Sequence, residues 1–339
     1  MPEDHEGKLG VAVVGLGVGA AHARAYLADG RCELRWLHDI ADGRADSLAR
    51  ELGAGAIART YAAILADPAV DVVSIASFDD AHYEQALAAL RAGKHVFVEK
   101  PLCRTRSELE TLRRAWDEAG RPQLASNLVL RAAPLYGWLR SQQRDGELGE
   151  VYAFDGDYFY GRLHKITDGW RRDVADYSVM LGGGVHLVDL LLWITGQRPT
   201  GVSAAGNRIS TEATEFRYLD HVAATYSFDS GLVARITANF GSVHPHQHVV
   251  RLFGTRATVI HDDQGPRRYV SREPDVPAER LDLAALPSTK GDLIPGFIDA
   301  IVARADTSAA SEHEFAVISA CVAADEAVVK GVQVDIDYG

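Results

Sequence analysis

The chain has 339 residues, of which 47% are hydrophobic and 24% charged, with a formal net charge of -12. That balance is ordinary for a globular protein, and the length favours two domains over one core. The negative charge speaks against nucleic acid and anionic membrane surfaces as partners, and no apolar run is long enough to span a bilayer.

The first third alternates short apolar runs with helical patterns. "LGVAVVG" (9–15) reads as a buried strand and "AHARAYLADG" as a helix closed by Gly30. "ELRWLH" is a second strand, followed by a helix with Asp42 as its N-cap and Gly53 past its end. "VDVVSIAS" is a third strand, and "KHVFVE" another after a helix ending at Gly93. In the next helix Ser107 and Glu110 are candidates for a capping box, with Gly120 as the stop. Strand and helix in alternation predict a doubly wound parallel sheet, an α/β class. The pattern changes after residue 127, which sets the expected domains at 1–127 and 128–339. "EVYAFDGDYFYGR" (150–162) is strand-like, and a glycine cluster and one strongly apolar helix (182–196) follow. The long candidates "GVSAAGNRIS", "DHVAATYSFDS", "GLVARITANFG" and "HVVRLFGTRATVIHD" then predict an α+β domain with a large, mostly antiparallel open sheet. "DSG" at 229–231 reads as a hairpin turn. The last segment is helical.

"GLGVGA" (15–20) fits G-x-G-x-x-G/A through Gly15, Gly17 and Ala20, between a strand and a helix. The glycines permit a tight turn and close approach of backbone to a pyrophosphate, which then sits at a helix N-terminus. Gly15, Leu16, Gly17 and Val18 are therefore the expected phosphate loop. Asp39 ends the second strand, 24 positions after Gly15, where a carboxylate bonds ribose hydroxyls and repels a 2′-phosphate. The cofactor expected is NAD, with Arg44 as the nearest cation, on the following helix. In "KHVFVEKPL" (94–102) an apolar strand runs into Glu99, Lys100 and Pro101. The carboxyl ends of strands in such a sheet are where ligands bind. A lysine there would stabilise a developing alkoxide. The Lys100–Pro101 bond is a candidate for the cis form. "DYFYGRLHKITDGWRRD" (157–173) gathers aromatic and basic residues. Tyr160, Arg162, Trp170 and Arg171 are candidates for gripping a sugar, by stacking and by guanidinium forks. The alternative is a strand with aromatics facing the core. His244, His246 and His248 alternate, which would put them on one strand face. With no acidic or cysteine partner nearby, no metal is expected.

The strings "VVGLGVGAAHA", "VDVVSIASFDDAHYEQALAALRAGKHVFVEKPL", "SNLVLRAAP" and "GGGVHLVDLLLWITG" resemble the glucose–fructose oxidoreductase / inositol dehydrogenase / MocA (Gfo/Idh/MocA) family. The resemblance implies a Rossmann domain followed by an open-sheet domain, and NAD(P)-dependent oxidation or reduction of sugars and related alcohols. It also implies a homodimer or homotetramer. Lys100 matches the family's active-site lysine, beside the cofactor, and Glu99 the neighbour that orients it and contacts the nicotinamide side. Ser77 and His82 match the segment lining the cofactor, and Asn127 the polar residue near it. His186 matches the active-site histidine of D-x-x-x-H. In this chain the aspartate of that pattern is Gly182, and Phe78–Asp79 replaces the usual Pro-Asn. Asp189 and Asp176 are the candidate carboxylates to stand in. The expected activity is hydride transfer between NAD and a ring hydroxyl or ketone of a sugar, cyclitol or sugar conjugate. Two rivals are a redox-neutral lyase or glycosidase using bound NAD, and a non-catalytic NAD sensor. Three separated cysteines and the acidic, polar start "MPEDHEGK" lead to a cytoplasmic expectation.

Overall fold

The computed structural model describes residues 7–339; the first six residues of that acidic start lie outside the described residues. The chain divides into two units. One comprises residues up to Val129 together with Ser288–Glu314, and the other Leu130–Pro287 with Phe315–Gly339. The first crossing falls close to the boundary read at 127. The later return of the chain to the first unit has no counterpart in that reading.

The first unit is built on a six-stranded parallel sheet. Its elements run β1 (Leu9–Val14), α1 (Gly19–Ala28), β2 (Cys32–His38), α2 (Arg44–Leu52), β3 (Ala56–Ile57), α3 (Tyr61–Ala66), β4 (Val72–Ile75), α4 (His82–Arg91), β5 (His95–Val98), α5 (Arg106–Glu118) and β6 (Leu124–Ser126). The strand order is β3-β2-β1-β4-β5-β6. Val72, Val73, Ser74 and Ile75 are all buried, because helices cover both faces of such a sheet. The order reverses between β1 and β4, which opens a crevice beyond their carboxyl ends. Two helix starts differ from the sequence reading. Gly43, at φ +73°, precedes α2 in place of Asp42, and the capping box of α5 is Thr105 with Glu108. The glycine tolerates that left-handed backbone, and Thr105 lies one residue before the first helical position, as the box requires.

In the second unit α6 (Pro134–Arg144) leads into β7 (Val151–Phe159), α7 (His164–Thr167) and α8 (Val185–Thr195). Strands β8 (Gly201–Asn207), β9 (His221–Ser227), β10 (Val233–Asn239), β11 (Gln247–Gly254), β12 (Thr258–Asp262), β13 (Gly265–Tyr269), β14 (Glu279–Arg280) and β15 (Val334–Asp335) complete a nine-stranded sheet. Only the β7–β10 pair is parallel. Gly231, at φ +87°, turns β9 into β10. The run 247–262 is a hairpin of two strands, broken after Gly254. Helix α8 packs on one sheet face, where Leu187 lies against Gly156. The opposite face is not apolar. Asp157 accepts hydrogen bonds from Arg235 (3.0 Å), Thr237 (2.8 Å) and Arg251 (2.9 Å), and Asp262 pairs with Arg267. On this face the charged Asp155, Asp157 and Arg251 are interspersed with Val249, Phe253 and Ile260.

Helix α9 (Ile294–Val302) belongs to the first unit, and α10 (Ser308–Lys330) follows it. Ile294, Phe297, Ile298 and Ile301 of α9 join Val11, Val13, Tyr26, Leu34 and Phe97 in one buried cluster. Among the described residues no helix is long and apolar enough to cross a membrane.

Candidate active site

The glycine turn sits at the reversal of strand order. Gly15 has φ +80°, and a Cβ there would lie 2.4 Å from the Ser77 nitrogen and 2.5 Å from the Ala76 oxygen. Backbone crowding of this kind admits only glycine. A Cβ on Gly17 would meet nothing within 4 Å, so a ligand can approach the main chain there. Gly19 makes the closest helix–strand contact, with a Cβ falling 3.1 Å from Val13 and 3.3 Å from Ala76, a role the sequence spacing gives to Ala20. The N-terminus of α1 carries no side-chain cap and no acidic residue in its first turn. Its N–H groups and dipole suit an anion such as a pyrophosphate. Asp39 holds the turn from below: its Oδ2 accepts from Leu16 N–H at 2.6 Å and its Oδ1 from Ala41 N–H at 2.7 Å. Arg44, the first residue of α2, reaches back to 3.3 Å from this carboxylate.

Glu99 and Lys100 emerge from the end of β5, and the Lys100–Pro101 peptide is cis. Glu99 Oε1 accepts from Asn127 Nδ2 at 2.7 Å and lies 3.3 Å from Nε2 of the fully buried His22. His22 Nδ1 is 3.0 Å from Ser74 Oγ, and Asn127 also donates to the Lys290 carbonyl at 2.8 Å. Burial pushes the Glu99 carboxyl up, but the His22 bond and charge, the Lys100 ammonium and the Asn127 amide outweigh it and hold the pKa at about 2. Sequence reasoning missed His22 and Ser74. The available signal was a histidine four residues before Tyr26 on the buried face of α1.

Ser77 donates to Gln85 at 2.6 Å. His82 is fully buried, 2.8 Å from the Pro101 carbonyl and 3.2 Å from that of Ser77. It therefore braces the two loops that follow β4 and β5.

In the second unit the glycine cluster is a π-helical turn, Met180–Gly184, entering α8. A Cβ at 182 would fall 2.3 Å from the Tyr177 hydroxyl, and one at 183 would fall 2.3 Å from the Tyr158 ring. These glycines let aromatic rings pack into the turn just before His186. The His186 ring is buried near those of His248 (5.8 Å between centroids) and Tyr158 (6.5 Å). Asp189 is wholly buried and is gripped by Arg131, whose Nε lies 3.0 Å from both carboxylate oxygens. Asp176 is exposed, at φ +54°, with its N–H on the Tyr218 oxygen. Asp189 is thus engaged in an ion pair, and Asp176 shapes a surface turn.

Tyr160 is 5% exposed and stacks on Phe240 at 4.4 Å, so its ring packs in the core. Arg162 lies over that ring at 5.4 Å, and Arg171 over Trp170 at 4.4 Å; these three side chains are partly accessible. A cleft of about 670 Å³ adjoins this segment, lined by Arg172, Asp173, Glu215, Arg217 and Tyr218. The three alternating histidines do not share a strand face: His244 faces Asp263 outside β11, while the His246 and His248 rings lie 4.9 Å apart.

Glycine turn, uncapped helix and carboxylate at the end of β2 together define an NAD-binding Rossmann domain. Residues 9–126 match the oxidoreductase family with an NAD-binding Rossmann fold, and residues 137–260 match the Gfo/Idh/MocA C-terminal domain. The chain belongs to the Gfo/Idh/MocA oxidoreductase family. It is 30% identical to inositol 2-dehydrogenase 2 of Saccharopolyspora erythraea, over 56% of this chain and 54% of that one. It is 32% identical to 1,5-anhydro-D-fructose reductase of Ensifer adhaerens, over 57% of each. The chain thus spans little more than half the length of these relatives. A levoglucosan dehydrogenase solved with NADH and levoglucosan has the same fold, with TM-score 0.83 at 21% identity, over 97% of this chain and 99% of that one.

Proposed function

We propose that the protein is an NAD-dependent oxidoreductase acting on a ring hydroxyl, or the matching ketone, of a sugar, cyclitol or sugar conjugate. The observation that carries this reading is Lys100, placed directly after β5 beside an ordered Glu99 at the carboxyl edge of the sheet. The names of the matched relatives, acting on inositol and anhydrofructose, support the substrate class. NAD supplies the hydride acceptor when bound. The protein orients the carbon and moves the proton. Gly15, Leu16, Gly17 and Val18 would hold the pyrophosphate, and Asp39 the ribose. Ser77 and Asn127 would border the nicotinamide side. Lys100 is assigned the reacting oxygen and His186 the hydroxyl proton, with Arg162, Trp170 and Arg171 gripping the sugar. Purified protein incubated with NAD and a panel of inositols, glucosides and anhydro-sugars should form NADH with at least one class. Turnover without net NADH, with cofactor retained, would favour the redox-neutral chemistry instead.

NAD should be preferred over NADP. Asp39 bears its negative charge where a 2′-phosphate would sit, and the exposed Arg44 offsets it only weakly. Asp39→Ala is expected to narrow the preference; equal affinity of the unaltered protein for both cofactors, by titration calorimetry, contradicts the assignment.

A homodimer or homotetramer joined through the face of the nine-stranded sheet opposite α8 is also proposed. Its ion-paired belt, Asp157 with Arg235 and Arg251, suits a polar self-complementary contact. Light scattering at micromolar concentration should give a multiple of the chain mass, and a monomer would remove this proposal.

A further inference from the structure

Four polar side chains from separate elements meet beneath the site without touching solvent freely. Ser74 comes from β4, His22 from α1, Glu99 from the end of β5 and Asn127 from the end of β6. Ser74 and His22 are fully buried, Asn127 is 1% exposed, and the Glu99 side chain is 13% exposed. Buried polar groups persist only when they satisfy one another. Asn127 has two amide hydrogens, and they go to Glu99 and the Lys290 carbonyl. Its 3.2 Å approach to His22 is therefore packing and not a third bond. The Glu99 carboxylate then has His22 Nε2 as its other near donor, and Ser74 Oγ fixes the ring from its far side. The ring also stands edge-on to Phe97 at 5.3 Å, which leaves it little freedom to turn.

We propose that His22, anchored by Ser74, is a positioning residue that holds Glu99 as a fixed anion beside Lys100. The role rests on the reading of Lys100 given above, but its chemistry does not. The charged and titratable groups facing Glu99 are His22 from α1 and Lys100 from its own strand end, with Asn127 and the Lys290 carbonyl completing the shell. Removing the imidazole leaves burial as the largest influence on this carboxyl, and burial favours the protonated form.

The test is infrared titration of the Glu99 carboxyl in the full chain, identified by the bands that Glu99→Gln removes. In the unaltered protein it should remain ionised down to about pH 4, because its pKa lies at about 2. In His22→Leu its proton affinity should rise at least about 1,000-fold, past the ordinary carboxyl value, so that protonation shows between about pH 5 and 7. His22→Gln, which keeps an N–H donor, should restore most of the ionised form. Ser74→Ala should move the carboxyl the same way by less, and serves if His22→Leu does not fold. In kinetics the acid limb should move up and kcat fall, with the dissociation constant for NAD unchanged. A carboxyl that stays ionised to pH 5 in His22→Leu overturns the proposal, and so, if that variant does not fold, does one that titrates in Ser74→Ala as in the unaltered protein. So does a Gln variant that titrates like the Leu variant. A moved carboxyl with turnover unaffected supports the positioning role and counts instead against catalysis by Lys100.

Discussion

Lys100→Met should lower turnover by about two to four orders of magnitude while NAD binding survives. Methionine keeps the length of the side chain and removes the ammonium, so loss of charge is separated from loss of packing. Lys100 follows β5, and the neighbouring Glu99 is fixed by Asn127 at 2.7 Å. A charge held this way needs no reorganisation as the oxyanion forms, which is the source of its leverage. The checks are steady-state kinetics with the best substrate of the panel and fluorescence titration of NADH. His186→Ala should cost a comparable amount if the imidazole takes the hydroxyl proton. Near-normal turnover in His186→Ala beside a dead Lys100→Met would make lysine the sole acid–base group. Near-normal turnover in both would return the chain to the sensor reading.

Arg131→Ala should cost about 3–5 kcal/mol of stability, the usual consequence of stranding a buried charge. Asp189 has no exposed surface, and both of its oxygens sit 3.0 Å from Arg131 Nε. The carboxylate cannot reach water without disturbing α8. Chemical denaturation monitored by far-ultraviolet circular dichroism measures the loss. Arg131→Met with Asp189→Leu should be markedly less harmful than Arg131→Ala alone, because it removes the charge together with its partner. Equal losses for the two would show that packing, not the stranded carboxylate, sets the cost. His186 lies one turn before Asp189 on the same helix, so the single variant should also impair turnover in whatever fraction stays folded.

The parallel sheet was legible because its strands are apolar on both faces, as in "VDVVSIAS", and because glycines punctuate the helices. The phosphate turn and the Glu99–Lys100 pair were legible for the same reason: each sits where a regular element stops. What could not be read depends on partners distant in sequence. Nothing in "LIPGFIDAIVARA" says that its apolar side belongs with Val11 and Phe97. His22 and Ser74 are 52 residues apart and look like ordinary helix and strand positions until the fold joins them. Asp189 lies against Arg131, 58 residues away in sequence, a pairing with no local signal. The hairpin at 247–262 read as one strand because its turn lacks the usual Asn-Gly or Asp-Gly pair.

The late arrival of α9 in the first unit bears on how the chain is made. A ribosome delivers residues in order, at about 5–20 per second. The dinucleotide-binding sheet is complete once Ser126 has been added, yet the cluster around Val11, Tyr26 and Phe97 lacks Ile294, Phe297, Ile298 and Ile301. During that interval, on the order of ten seconds or more, every long strand of the second sheet leaves the tunnel while the first core still has an open side. The amino-terminal unit is therefore begun first but completed only after most of the second has been made. For that part of translation, the apolar side of its half-built core is a surface that a chaperone can hold.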